Sequence, residues 1–196
     1  MTTVSRETEV RLQHYKALLQ KWNARINLVS AKSLDGIDSR HIADSLQLMD
    51  LASPPAKWVD LGSGGGLPGL VIAIALQDTE TDFTLIESDQ RKAAFLRTVI
   101  RELGLQNVDV LPARIEEAQP QRAQIISARA LAALDVLMPW INRHIAEDGL
   151  ALLLKGRGWR AEIEAAQEHW QFQYTAVPSK TDPEAVVLKI SGVSDA

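Results

Sequence analysis

The stretch Lys57 to Leu76, KWVDLGSGGGLPGLVIAIAL, constrains the fold more than any other part of the chain. Trp58, Val59 and Leu61 make a short apolar run of strand character. Gly62 to Gly66 is a glycine cluster broken only by Ser63, and Leu70 to Leu76 is apolar enough to be a buried helix. A strand, a tight loop and a helix in that order predict an α/β unit whose loop backbone comes close to a ligand, since a Cβ on those glycines would hold it off. Asp60 and the loop residues Gly62, Ser63, Gly64, Gly66 and Leu67 are the first binding candidates, at the strand end where open sheets take ligands. Pro68 suits a first helical turn but tells against the usual dinucleotide helix, and no Lys-Ser or Lys-Thr pair follows to make a P-loop. Taken alone, the loop can also be a mere tight turn.

Beyond this unit the pattern predicts strands over 82–87, 108–111, 122–128 and 149–154, alternating with helices over 90–103, 132–144 and 159–168. Gly104 is placed to cap the first of these helices. Two last strands, 171–177 and 185–190, flank a polar turn and form a hairpin, so the sheet is mostly parallel but mixed. Residues 192–196 are expected to fray. Ahead of the glycine unit, Ser5 caps a helix running to Asn23, with Val10, Tyr15, Leu18, Leu19 and Trp22 at helical spacing. Ser33, Asp35 and Ser39 offer caps for a second helical region through 41–51. The expected organisation is one domain over 1–196, with 1–52 as a helical extension and 57–190 as the α/β core. The extension reads either as a lid or platform or as a plain packing layer.

Composition narrows the chemistry. Cysteine is absent, which excludes disulfides, thiolate catalysis and cysteine zinc sites. The start lacks a secretory pattern and no apolar run reaches membrane-span length, so a soluble, cytoplasmic protein is expected, without a membrane. The net charge of -4 argues against wholesale coating of nucleic acid but leaves room for a local basic face.

Glu87, at the end of the second strand, is placed to accept both hydroxyl protons of a ribose. Asp89 is the less favoured substitute and has the plainer reading of an acidic residue at a helix start. Arg114, Ile115 and Glu116 follow the third strand, where an adenine ring is within reach. A backbone donor near Arg114 or Ile115 and the Ile115 side chain are better candidates than a charged contact, and Glu116 has the alternative of pairing with an arginine. Arg129 closes the fourth strand; its permanent charge needs a partner, either ligand or an acidic neighbour. Lys155 and Arg157 follow the fifth strand and read as phosphate contacts or as a solvated loop. His41 and Asp44 share a helix face, but no third ligand is spaced beside them for a metal. Ser63 is not in a G-x-S-x-G elbow, which argues against a hydrolase.

Several stretches together carry a resemblance: YKALLQKWNARINLVS, HIADSL, VDLGSGGGLPGLVIAI, LIES followed by RKAAFL, ARIE, SARAL and LLLKG. On these the chain resembles, over nearly its whole length, the bacterial small-subunit ribosomal RNA guanine-N7 methyltransferases, the glucose-inhibited division protein B family. The resemblance implies an α/β, Rossmann-like class I S-adenosylmethionine-dependent methyltransferase with a seven-stranded, mostly parallel sheet, one antiparallel strand and added N-terminal helices. It implies S-adenosylmethionine as cofactor, 16S rRNA or the small ribosomal subunit as partner with no stable protein partner required, and methylation of N7 of guanine 527 in the 530 loop. Guanine N7 carries a lone pair and no proton, so no general base is expected, and Arg129 is the positioning residue, directed at O6 or a phosphate. Arg25, Lys32, Arg40, Arg91, Lys92, Lys155 and Arg157 are the candidate RNA-facing cations. Arg91-Lys92 stands where the family usually has two lysines, and the last hairpin, with Lys180 and Lys189, has no arginine. A non-catalytic RNA-binding module and a dinucleotide-dependent oxidoreductase are the alternative readings.

Overall fold

The computed structural model describes residues 4–30 and 36–196, without the side chains of 38–40. Helix α1 (Arg6–Asn23) begins where Ser5 Oγ accepts the Thr8 N–H at 3.1 Å, and it buries Leu12, Tyr15 and Leu19 on one face. The second helical region is not one helix. It divides into a π-helical turn (Ile37–Ile42), the short α2 (Ala43–Leu46) and a 3-10 turn (Gln47–Asp50). Ser45 Oγ donates to the His41 carbonyl at 2.6 Å and Gln47 Nε2 donates to the Asp44 carbonyl at 3.1 Å, so polar side chains compete here for helical acceptors. The predicted caps Ser33 and Asp35 lie outside the described residues, as does the side chain of Ser39.

Strand β1 (Lys57–Leu61) is followed by α3 (Gly69–Ala75), β2 (Asp82–Ile86), α4 (Gln90–Leu103), β3 (Val108–Leu111) and β4 (Ala123–Arg129). Then come α5 (Leu134–His144), β5 (Ile145–Lys155), α6 (Trp159–Gln167), β6 (Trp170–Pro178) and β7 (Val186–Asp195). The strands form one seven-stranded sheet in the order β3-β2-β1-β4-β5-β7-β6, parallel except for β7, which runs against both its neighbours. This is the sheet that the family resemblance implies. Alternation along β1 sends Trp58 into a core shared with α1, α3 and α4, and Val59 and Leu61 into a second core shared with α5 and α6. Both faces are covered, which explains the near-continuous apolar runs of β1 and β5.

Caps fix the best-predicted boundaries. Asp89 Oδ1 accepts from the Arg91 and Lys92 N–H groups at the start of α4, and Gly104 ends it in the left-handed region at φ 64°. Two strand ends differ from expectation. β5 starts at Ile145, because the chain pairs Ala123 with Ile145 across a bulge before the apolar run resumes. Residues 192–195 belong to β7 and do not fray: Gly192, at φ 62°, carries the strand past a register shift, after which Ser194 and Asp195 pair with Gln171 and Trp170.

Candidate active site

The carboxyl ends of β1, β2 and β4 open onto a cavity of about 600 Å³. Gly62, Ser63, Gly64, Gly65 and Leu67 line one wall, Glu87 and Lys92 another, and Ala113, Arg114, Ile115 and Glu116 a third. The loop is held from three sides. Ser63 Oγ donates to the Asp60 carbonyl at 3.2 Å, Gly64 N–H donates to Glu87 Oε2 at 2.8 Å, and Tyr15 Oη–H of α1 donates to the Gly65 carbonyl at 2.6 Å. Glu87 Oε1 accepts the Asp89 N–H at 2.7 Å, so a buried carboxylate stands at the cavity wall with one backbone partner on each oxygen and lone pairs to spare. Arg114 lies 3.5 Å from Glu116, the arginine pairing foreseen as the alternative for that glutamate. His144 Nε2–H donates to the Ile115 carbonyl at 2.8 Å from beneath and steadies this wall. Burial pushes the His144 pKa down, in keeping with a neutral ring.

Two residues expected on the cavity wall are not there. Asp60 is buried under the loop, where its Oδ1 accepts Ser127 Oγ–H at 2.6 Å, and Ser127 Oγ in turn accepts Trp58 Nε1–H at 2.9 Å. A Cβ on Gly69 would stand 2.4 Å from the Asp60 Cβ, so the carboxylate is sealed beneath the first residue of α3. Desolvation pushes its pKa up to about 6 against the hydrogen bonds that lower it. Gly66 likewise faces inward: at φ 89°, a Cβ there would meet Leu70 at 2.7 Å, so this glycine permits packing of the loop on α3 and α4.

Arg129 lines both this cavity and a second one of about 700 Å³, together with His41 and Ala130. Its guanidinium lies 3.4 Å from Asp44 Oδ2 through one terminal nitrogen and donates to His41 Nδ1 through the other. Of the two sequence-based readings the acidic neighbour is present, and the side chain also stands at the cavity wall. Ala130 follows in the left-handed region at φ 49°, an uncommon conformation for a non-glycine residue. The second cavity is completed by the ends of β5 and by the turn between β6 and β7.

The basic set disperses. Lys155 is 8 % exposed at the second cavity, and its Nζ is taken up by Glu162 Oε2 and the Ala132 carbonyl, to each of which it donates at 2.7 Å. Arg157 is exposed beside Glu184 at 3.3 Å, and Arg91 is exposed beside Asp89 at 3.1 Å. Lys92 lines the first cavity, and Arg25 is exposed just beyond α1. Lys32 and the Arg40 side chain lie outside the described residues. Lys180 and Lys189 turn back on the chain, Nζ of the first to Asp50 at 2.6 Å and of the second to the Leu51 carbonyl at 3.0 Å. Tyr15, Gly65, Ser127 and His144 are site-building residues that sequence reasoning missed. Each is joined to a residue far along the chain, and only Gly65, inside the glycine cluster, and Ser127, at a strand end in SARAL, carried a local sign.

The family model of rRNA small subunit methyltransferase G matches residues 8–186. Over 195 residues the chain is 51% identical to the ribosomal RNA small subunit methyltransferase G of Paracoccus denitrificans, covering 99% of this chain and 100% of that one. It is 53% identical over 191 residues to the protein of the same name from Acidiphilium cryptum, covering 96% and 87%. Among solved structures, a TehB-like SAM-dependent methyltransferase from Corynebacterium glutamicum superposes with a TM-score of 0.62 at 16% identity, covering 92% of this chain and 98% of that one. A SAM-dependent methyltransferase from Aquifex aeolicus gives 0.62 at 11% identity, covering 89% and 97%. These two share the fold, a class I Rossmann-like sheet, whereas the family model and the close relatives reach further: the chain belongs to the rRNA small subunit methyltransferase G family.

Proposed function

We infer that this protein is a cytoplasmic enzyme that transfers a methyl group from S-adenosylmethionine to N7 of guanine 527 in the 530 loop of 16S rRNA. The observation in the geometry that carries this reading is the meeting of two cavities at Arg129 and its neighbours His41 and Ala130. Arg129 forms part of the wall of the glycine-loop cavity and of its neighbour, so a cofactor and an acceptor can be held on either side of it. The residues fit the cofactor: the first cavity has the size of a small-molecule site, Glu87 offers carboxylate acceptors for a ribose, and the 113–116 loop offers an apolar wall with backbone groups for a base. S-adenosylmethionine, when bound, supplies an electrophilic methyl on sulfur.

The protein's own residues then have to align and to discriminate. N7 of guanine needs no deprotonation, so a site without a general base is sufficient and alignment carries the rate. Arg129 has one terminal nitrogen beside Asp44 and the other on His41, which keeps its fork from taking O6 and N7 together and so leaves the N7 lone pair available. Residues 1–52 act as the extension that braces the glycine loop through Tyr15 and walls the second cavity through His41 and Asp44, while 57–190 form the core. Presenting 16S rRNA and small-subunit particles from a strain lacking this gene with labelled S-adenosylmethionine, then mapping the label, tests the reading. Label on guanine 527 is expected; label on an adenine or pyrimidine, or none on any form, overturns it.

A further inference from the structure

The second cavity is walled by parts of the chain that are distant in sequence: His41 and Asp44 from the N-terminal segment, Arg129 from β4, Lys155 and Gly156 from the end of β5, and the turn after β6. Asp44 is an acidic side chain of this cavity that pairs with Arg129, which the two cavities share, and its two oxygens differ. Oδ1 accepts Gln47 Nε2–H at 2.6 Å and Thr181 Oγ1–H at 2.9 Å, with Ser179 Oγ at 3.4 Å. Among the described residues, Oδ2 has only the Arg129 nitrogen at 3.4 Å. The carboxylate is pinned through one oxygen and keeps acceptor capacity on the other.

We propose that the second cavity receives the acceptor nucleobase and that Asp44 selects guanine by accepting its N1–H while Arg129 donates to O6. This rests on the methyltransferase reading above and extends it to a residue that sets base specificity. Guanine carries N1–H, O6 and N7 in succession around one edge, a donor, an acceptor and the nucleophile. The cavity walls present the complementary order: Asp44 lines the second cavity alone, Arg129 lines both, and the glycine loop lines the first alone. A base read in that register points N7 at the cofactor cavity. Adenine reverses the pattern, setting an N1 acceptor against the carboxylate and an amino group against the guanidinium, and both contacts repel. Bases taken out of a strand are generally read in this way, by hydrogen bonds to the Watson–Crick edge inside a pocket.

The test uses small-subunit particles reconstituted with 16S rRNA in which position 527 is guanine or 1-deazaguanine, which lacks the N1–H donor but keeps O6 and N7. Flanking phosphate contacts are common to both and cancel. The wild-type protein should bind the guanine particle about ten-fold more tightly without cofactor, and should methylate it faster by at least that factor in a single turnover. Asp44→Asn keeps its carbonyl where Gln47 and Thr181 donate, so its amide group turns toward the base and faces N1–H with a donor; the two particles should then bind within about three-fold of each other or in inverted order. Wild-type affinities within three-fold, or a ten-fold preference retained by Asp44→Asn, overturn the inference. If Asp44→Asn does not fold, the wild-type comparison of the two particles still decides. Failure of the wild-type protein to methylate the guanine particle at all would instead overturn the underlying reading, and the inference with it.

Discussion

Asp60 and Glu87 stand at the ends of adjacent strands, yet only one of them faces the cavity. Parity decides this. Asp60 shares the face of β1 on which Trp58 meets α3, so its carboxylate points under that helix, whereas Glu87 lies past the last residue of β2, where the chain is already turning toward the loop. The motif made both residues prominent in the sequence, and the alternation that separates them was legible beside it in Trp58. Burial gives Asp60 a measurable signature. Its folded pKa of about 6 lies above that of an unfolded aspartate, so the native state holds a proton that the unfolded chain has released between those two values. Its contribution to stability is therefore greatest at low pH and declines as pH rises through about 6. Urea unfolding of wild type and Asp60→Asn at pH 4 and pH 7 should show the difference between them moving in favour of wild type at pH 4, by roughly 2 kcal/mol. A difference that stays constant with pH would mean that Asp60 ionises as freely in the folded protein as in the unfolded chain.

At the scale of elements, the helices whose ends are chemically marked were the legible ones. Ser5 for α1, and Asp89 with Gly104 for α4, cap where the sequence placed them. The strands were readable as apolar runs but not at their ends, because the bulge before Ile125 and the turn of the backbone at Gly192 depend on a partner strand that no local pattern reveals. The same limit hid the function of α1. Its sequence read either as part of a lid or platform or as plain packing; Tyr15 does pack, and its hydroxyl ends on the Gly65 carbonyl and ties the helix to the glycine loop. Burial holds this phenol well above its ordinary pKa, so it remains a donor at any working pH. Tyr15→Phe leaves the ring in place and strands the Gly65 carbonyl, which should cost about 1–2 kcal/mol of stability. If the clamp also shapes the cofactor wall, calorimetry should show S-adenosylmethionine affinity falling by several-fold or more. A loss of stability with unchanged cofactor affinity would confine Tyr15 to packing.

The whole molecule carries a net charge of -4, and its cations are used in two different ways. Part of its positive charge is spent internally: Lys155 is sealed against Glu162, while Lys180 and Lys189 fasten the last hairpin to the segment around Asp50 and Leu51. The two hairpin lysines hold the last hairpin against the N-terminal segment, and the Lys155 charge is taken up by Glu162 at the edge of the second cavity. Among the described residues of the candidate set, Lys92 stands at the cavity wall, Arg25 is exposed beyond α1, and Arg91 and Arg157 are in exposed pairs to Asp89 and Glu184. Exposed pairs of this kind are worth little, so a phosphate can displace the carboxylate at small cost. Binding of small-subunit RNA should accordingly weaken as salt rises, while cofactor binding changes far less. Replacing Lys92 or Arg157 with alanine should lower RNA affinity and reduce the slope of log K against log salt by roughly 0.7 for each phosphate of single-stranded RNA that the side chain neutralises. Arg101, exposed at the opposite end of the helix that starts beside Lys92, is the control, and its alanine variant should leave the slope unchanged. Filter binding across a salt series measures all three variants together. Parallel slopes for wild type, Lys92→Ala and Arg157→Ala would move the phosphate-binding surface away from the cavity mouth.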